Sequence, residues 1–271
     1  MLTSEQKIFF EKNGYLLLPQ LLREELEPCR RRIEEIVSGE KEHHHFVRFG
    51  EGGKPVFYRI PQLADRDDIF KTVANHPTVL AAVRDLVGSA QVFRDILVAK
   101  PPKHGHSVVY HQDAAYWDVA DPNKVLSAWI ALDDAPREAG CLQFIPGSHK
   151  APVKHEIYFK GRHLPGWVSR MLRRSVSLTG TGDNPQTPIQ RAFGKLKDLI
   201  LGSASKIIPA INDLNWLTVD PKKISGAPEV SVPASAGDVI IFHSLLIHAS
   251  GPNTSPNPRR AYIVTYAADG P

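Results

Sequence analysis

Residues 125–134 read VLSAWIALDD. Val125, Ser127, Trp129 and Ala131 alternate with Leu126, Ala128, Ile130 and Leu132, the two-residue period of a β-strand. The same texture recurs in QVFRDILVAK (91–100), CLQFIPG (141–147), GDVIIFHSLLIHAS (237–250) and RAYIVTYA (260–267). Each run is β-branched or aromatic and bounded by Pro, Gly or Asp. Strands without crossover helices between them predict an antiparallel sandwich or jelly roll.

Outward from this core, residues 1–90 read mainly as helix. Thr3 and Gln6 have capping-box spacing, and Gly14 closes the first amphipathic segment. Tyr15 to Leu18 is a short strand candidate stopped by Pro19. Residues 22–38 have helical spacing and end before Gly39, and Pro77 opens a helix that runs to Gly88. Residues 152–235 interrupt the strands with a long, weakly periodic stretch. It is locally basic, through Lys160, Arg162, Arg170, Arg173, Arg174, Arg191, Lys195, Lys197 and Lys206. GWVSRMLRRSV and IQRAFGKLKDLILG within it look helical. One domain is expected: a helical layer (1–90), a core from 91–150 and 236–267, and an inserted lid (152–235).

The chain has 271 residues, 33 Lys and Arg against 29 Asp and Glu, and 42% apolar residues. No apolar run approaches the roughly 20 residues of a spanning helix. The opening residues lack the order of a secretion signal. Two cysteines, Cys29 and Cys141, exclude a disulfide scaffold and a cysteine zinc site, and read as buried small apolar residues. A cytoplasmic setting is the simplest expectation.

The chemistry concentrates in Tyr110-His111-Gln112-Asp113. On a strand, His111 and Asp113 share a face, supplying an imidazole and a carboxylate toward one metal. Two histidines and one carboxylate suit non-haem Fe(II). The third ligand should come from a distant strand, and His248 fits, near the end of GDVIIFHSLLIHAS. Read as a hairpin through GPNTSPNP, the next strand brings either Arg259 or Arg260 beside His248, since adjacent residues face opposite sides. That arginine would pair with a carboxylate anchored beside the metal. His243 falls on the other strand face. His43, His44 and His45 read as a solvated loop, His104 and His106 as a surface turn or, being just before HQD, as pocket-facing residues, and His149 as a loop or pocket-rim residue.

HQD at 111–113, HASGPN at 248–253 and an arginine eleven positions after that histidine resemble the phytanoyl-CoA dioxygenase family. LVAKPP (97–102), AWIALDD (128–134) and GCLQFIPGSHK (140–150) extend the similarity. The resemblance implies a mainly β fold with flanking helices around a double-stranded β-helix (jelly-roll, cupin-like) core. It implies a dioxygenase using Fe(II), 2-oxoglutarate and O2, with ascorbate as an optional reductant. His111, Asp113 and His248 then correspond to the iron ligands. Arg259 corresponds to the partner of the distal 2-oxoglutarate carboxylate, Ser250 and Trp129 to co-substrate neighbours, and Arg59, in a loose alignment, to a basic residue near the co-substrate. Related halogenases replace the carboxylate ligand with a small residue, so the retained Asp113 points to a hydroxylase.

The expected reaction is hydroxylation of a small or medium organic molecule in specialised-metabolite biosynthesis. Desaturation, epoxidation or cyclisation would use the same residues, and an acyl-CoA or carrier-bound substrate is the runner-up. The basic 152–206 stretch reads either as a solvated face or as an attractor for an acidic substrate. A non-catalytic jelly-roll binding protein and a nucleic-acid demethylase are the rivals. A net charge of +4 without a stacking motif argues against the second, and no membrane partner is expected. Oligomeric state is left open.

Overall fold

The computed structural model describes residues 1–39, 48–51, 54–57, 59–103, 107–117, 119, 121–159, 162–163 and 217–268. His43, His44, His45, His104, His106, the two helical readings after residue 160 and the basic side chains between 160 and 206 lie outside what it describes.

Helix α1 (Ser4–Asn13) opens with the reciprocal Thr3–Gln6 capping box and stops at Gly14. It leads into β1 (Tyr15–Leu18), then α2 (Leu26–Ser38), β2 (Arg48–Glu51), β3 (Lys54–Phe57), β4 (Arg59–Pro61), α3 (Asp68–Ala74) and α4 (Pro77–Val87). The remaining strands are β5 (Gln91–Lys100), β6 (Val108–His111), β7 (Val125–Ala131), β8 (Leu142–Phe144), β9 (His155–Phe159), β10 (Arg162–His163), β11 (Leu217–Val219), β12 (Val230–Val232), β13 (Val239–His243), β14 (His248–Ser250) and β15 (Arg259–Ala267). A short α5 (Pro221–Ile224) lies between β11 and β12.

Two sheets form the sandwich, with every pairing antiparallel. The larger has the order β1-β13-β7-β15-β5-β4 and the smaller β12-β8-β14-β6. The alternation along β7 explains how they stack. Leu126, Ala128 and Ile130 pack outward with Ile33, Phe70, Val83 and Tyr262 under the helices. Trp129 and Ala131 pack inward with Phe144, Leu142, Ile240 and Phe242 between the sheets. Each fully buried large apolar side chain contributes roughly 1.5–3 kcal/mol relative to exposure, so both faces of the large sheet anchor the fold.

Several boundaries differ from the sequence expectation. The helical layer lends β1 and β4 to the two edges of the large sheet. The core resumes at β12, which pairs with β8, rather than at residue 236.

GDVIIFHSLLIHAS is two strands rather than one. After β13 a buried turn intervenes, with Leu246 N–H on His243 O at 2.8 Å and Ser244 Oγ donating to Pro122 O at 2.6 Å. β14 then joins the other sheet. Residues 239–250 are all buried, so a continuous apolar run conceals the break. The hairpin joining His248 to Arg259 is absent: β14 pairs with β6 and β8, whereas β15 pairs with β5 and β7. Arg259 therefore belongs to the sheet opposite His248. Asp113 also lies just past β6, at the start of a short 3-10 turn (Asp113–Tyr116).

Gly140 holds a tight junction between β7 and β8. Its φ is +78°, and a Cβ there would stand 2.4 Å from the Gly251 carbonyl oxygen. Left-handed strain alone costs about 1–3 kcal/mol, and the backbone clash adds to it. Gly140→Ala is expected to lower the thermal unfolding midpoint by several degrees, which calorimetry would show. An unchanged midpoint would contradict this packing.

Candidate metal centre

β6 and β14 are hydrogen-bonded neighbours, with His111 directly opposite His248. That pairing brings two imidazoles together from residues far apart in the chain, with ring centroids 4.2 Å apart. Gln112 is extended at φ −108° and ψ 133°, so Asp113 returns to the face of His111 despite lying beyond the strand. Asp113 Oδ1 is 3.3 Å from His111 Nε2 and 3.6 Å from His248 Nε2. One ligand atom from each of the three lies within 4.8 Å of the others, and among the described residues no other such group occurs.

Each donor atom is aimed by a second contact. His111 Nδ1 lies 2.8 Å from Val109 O, and His248 Nδ1 lies 2.9 Å from Leu246 O. A backbone carbonyl takes a proton, so both rings carry theirs on Nδ1 and turn the Nε2 lone pair to the centre. Ser127 Oγ donates to Asp113 Oδ2 at 3.1 Å and contacts Thr265 Oγ1 at 3.2 Å. Oδ1 is thereby left for the centre.

Gln112 is wholly occupied by the scaffold. Its amide nitrogen donates to Ala151 O and Leu245 O, and its oxygen accepts from Val153 N–H. His155 repeats the i−2 carbonyl contact through Nδ1, but its Nε2 accepts from Gln112 N–H at 2.8 Å, so it has no lone pair for a metal.

Burial, then the neighbouring His111 imidazole, pushes His248 down to about 4. Burial works to raise Asp113, but the His248 and His111 imidazoles and the Ser127 hydroxyl outweigh it and hold the carboxyl at about 2. A neutral His248 imidazole beside an ionised Asp113 carboxylate is the protonation state that divalent-cation binding requires.

Next to this triad lies a second buried group. Arg259, only 2% exposed, sits over the Trp129 ring at 5.5 Å and donates from Nη2 to Gly140 O at 2.9 Å. Lys100 is its cross-strand partner. Lys100 Nζ donates to Ser250 Oγ at 2.8 Å and also contacts the Gly251 carbonyl. Arg259, Ser250 and Trp129 are thus brought together, and Lys100 is the member that sequence reasoning missed. A single lysine at the end of the alternating run LVAK carries no local signal of this role.

Arg259 Nε is buried without a hydrogen-bond partner among the described residues. Two buried basic side chains and an orphaned donor make a cradle for a carboxylate. With the adjacent two-histidine, one-carboxylate donor set, these residues fit both ferrous iron and a chelating dicarboxylate co-substrate.

Arg59 pairs in register with Val98 and interacts electrostatically with Arg94 and Tyr116, the latter with its ring 5.6 Å from that of His111. Arg260 points outward, bidentate to Asp133 at 2.8 and 2.9 Å. His149 is buried at the α1 junction, its ring 5.3 Å from that of His243, and neither belongs to the triad. Cys29 and Cys141 are buried free thiols. A surface groove lined by Gln20, Arg23, Arg30, Asp134 and Asp238 shares no residue with the centre.

The phytanoyl-CoA dioxygenase family model matches residues 10–261. A probable phytanoyl-CoA dioxygenase of Caenorhabditis elegans is 26% identical, over 99% of this chain and 76% of the relative. The peroxisomal phytanoyl-CoA dioxygenase of Rattus norvegicus is 24% identical, over 99% of this chain and 69% of its own length. Among solved structures, the epimerase SnoN in complex with Fe3+, alpha ketoglutarate and nogalamycin RO superimposes with a TM-score of 0.64 at 23% identity, covering 97% of this chain and 82% of that one. EctD from S. alaskensis with bound Fe gives 0.67 at 18% identity, covering 98% and 77%. These structures share the fold.

Proposed function

Because this chain belongs to the phytanoyl-CoA dioxygenase family, we propose that His111, Asp113 and His248 hold the iron and that Arg259, Lys100 and Ser250 receive the distal carboxylate of 2-oxoglutarate. The protein is an iron- and 2-oxoglutarate-dependent dioxygenase, an oxidoreductase. The observation that carries the assignment is the convergence of two Nε2 atoms and one Oδ1, each aimed by its own second contact. The residues form one oxygenase domain acting in the cytoplasm.

When bound, iron, 2-oxoglutarate and O2 together supply an oxidant able to remove hydrogen from an unactivated C–H bond. The chain supplies the rest. Ser127 and Thr265 fix the Asp113 carboxylate, and Trp129 supports the Arg259 guanidinium. The apolar walls Phe144, Phe242 and Ile240 exclude water from the inner face. The substrate is a small or medium organic molecule, and its hydroxylation in specialised-metabolite biosynthesis is the reading favoured here. An acyl-CoA or carrier-bound acyl substrate is the second reading, supported by the names of the relatives. Succinate release from 2-oxoglutarate, measured with Fe(II) and candidate substrates, tests the activity. Absence of substrate-stimulated succinate with every class would refute it.

Lys100 gives the co-substrate step a pH signature. Burial, then the Arg259 charge, pushes its ammonium down to about 6. A carboxylate beside it favours the protonated form, so the pKa rises on binding. Affinity is then complete below pH 6 and falls by up to about tenfold per unit above it, until the bound-state pKa is passed. Anaerobic titration of 2-oxoglutarate between pH 6 and 8 should show this slope, and Lys100→Met should flatten it. A flat wild-type profile would remove Lys100 from the co-substrate site.

A further inference from the structure

The cradle around Arg259 leaves another cation unexplained. Arg94 and Lys100 lie six residues apart on β5, about 20 Å at strand rise. Asp95 faces the helical layer, where its carboxylate accepts from Leu63 and Ala64 N–H at 2.8 and 3.2 Å. The carboxylate adjacent in sequence is therefore committed on the opposite face of the sheet.

Arg94 heads a cross-strand row that ends at the metal centre. It is opposite Thr265, Thr265 is opposite Ser127, and Ser127 donates to Asp113. The β5–β15 register shifts beside it, with Thr265 opposite Arg94 but Tyr266 opposite Val92. Such a bulge re-aims side chains and is frequent beside active sites. It lets both Phe93 and Arg94 meet Trp117, with ring centroids at 5.8 Å and the guanidinium carbon 5.4 Å from the indole centroid.

The contact with the indole face is made by the guanidinium's charge and does not consume its N–H donors, which can serve a second group. Arg94 is only partly buried. Arg59 adds a second positive charge from β4, and Asp113, the acid at the end of the row, is turned to the metal centre.

We propose that Arg94, reinforced by Arg59 and braced against Trp117, anchors a carboxylate of the substrate. This identifies the substrate of the activity proposed above as a small organic acid, and it rests on that reading. Two strand spacings, about 10 Å, separate the Arg94 backbone from that of Ser127. The oxidised carbon then lies a few bonds from the anchored carboxylate. A phosphate on a long carrier arm would not need to enter so far.

The test uses anaerobic enzyme loaded with Fe(II) and saturating 2-oxoglutarate. 4-Fluorobenzoate, 4-fluorobenzamide and 4-fluorophenyl phosphate are titrated by fluorine NMR. The benzoate is expected to bind about tenfold more tightly than the isosteric neutral amide, the size of one charge-assisted contact. Arg94→Gln should erase that difference while leaving amide and 2-oxoglutarate affinities within about twofold, and Arg94→Lys should retain part of it. Equal binding of benzoate and amide by the wild type would overturn the proposal. So would loss of 2-oxoglutarate affinity in Arg94→Gln, which would place Arg94 in the co-substrate site, or preference for the phosphate. Failure of wild-type protein to bind 2-oxoglutarate, visible before any probe is added, would refute the dioxygenase reading and this inference with it.

Discussion

His111→Ala and His248→Ala are each expected to bring bound iron to background and to abolish substrate-dependent succinate formation. Loss of an outer partner of a metal ligand typically costs 10–100-fold in affinity. Removing a ligand itself should cost at least about 100-fold. The two imidazoles are 4% and 5% exposed, so the substitutions also open small cavities. Folding is therefore followed by circular dichroism and thermal melting alongside iron analysis.

His243→Ala is the matched control. His243 is also buried, at 7%, and burial pushes it down to about 4. It contacts His149 rather than the triad, so this variant should retain iron. A His248→Ala protein with wild-type iron content would end the ligand assignment, as would iron loss in His243→Ala at unchanged stability.

The second large effect separates two adjacent arginines. Arg259→Ala should raise the 2-oxoglutarate KM by about 100-fold, corresponding to about 3 kcal/mol for a buried charge-assisted pair. Iron binding should persist, because no triad atom depends on Arg259. Arg260→Ala should leave that KM within about twofold. It instead breaks the bidentate contact to Asp133, which also receives Arg260 N–H at 2.9 Å and has Arg30 at 3.5 Å. A stability loss of about 1–3 kcal/mol should appear as a lower melting temperature. Exchanged phenotypes would mean that the inner and outer faces of β15 are misassigned.

This contrast shows which parts of the site were legible in the sequence. Alternation along β15 correctly separated Arg259 from Arg260, because a strand's period of two depends only on local backbone geometry. A hairpin, however, does not join His248 to Arg259. Their strands belong to opposite sheets, and Arg259 reaches the interior across the sandwich. Likewise, His243 lies outside the triad, but a break after β13, rather than an odd offset along one regular strand, separates it from His248.

Lys100 and Arg94 were overlooked because a lone cation in a β-run carries no local signature. Lys100 meets Ser250 at a separation of 150 residues, and Arg94 meets Trp117 only after a bulge turns it. Such contacts depend on strand order and register, which emerge from the packing of the whole core.

The sequence by itself determined the alternating strands, the capped helix α1 and the HQD motif with its distant histidine. Short-range backbone geometry and side-chain chemistry are written directly into residue order. Tertiary structure alone decided that β14 lies between β6 and β8, that Lys100 stands opposite Arg259, and that Arg94 joins the row leading to Asp113. Those neighbours are remote in the chain, and only the burial of two sheets against one another selects among the pairings that local pattern allows.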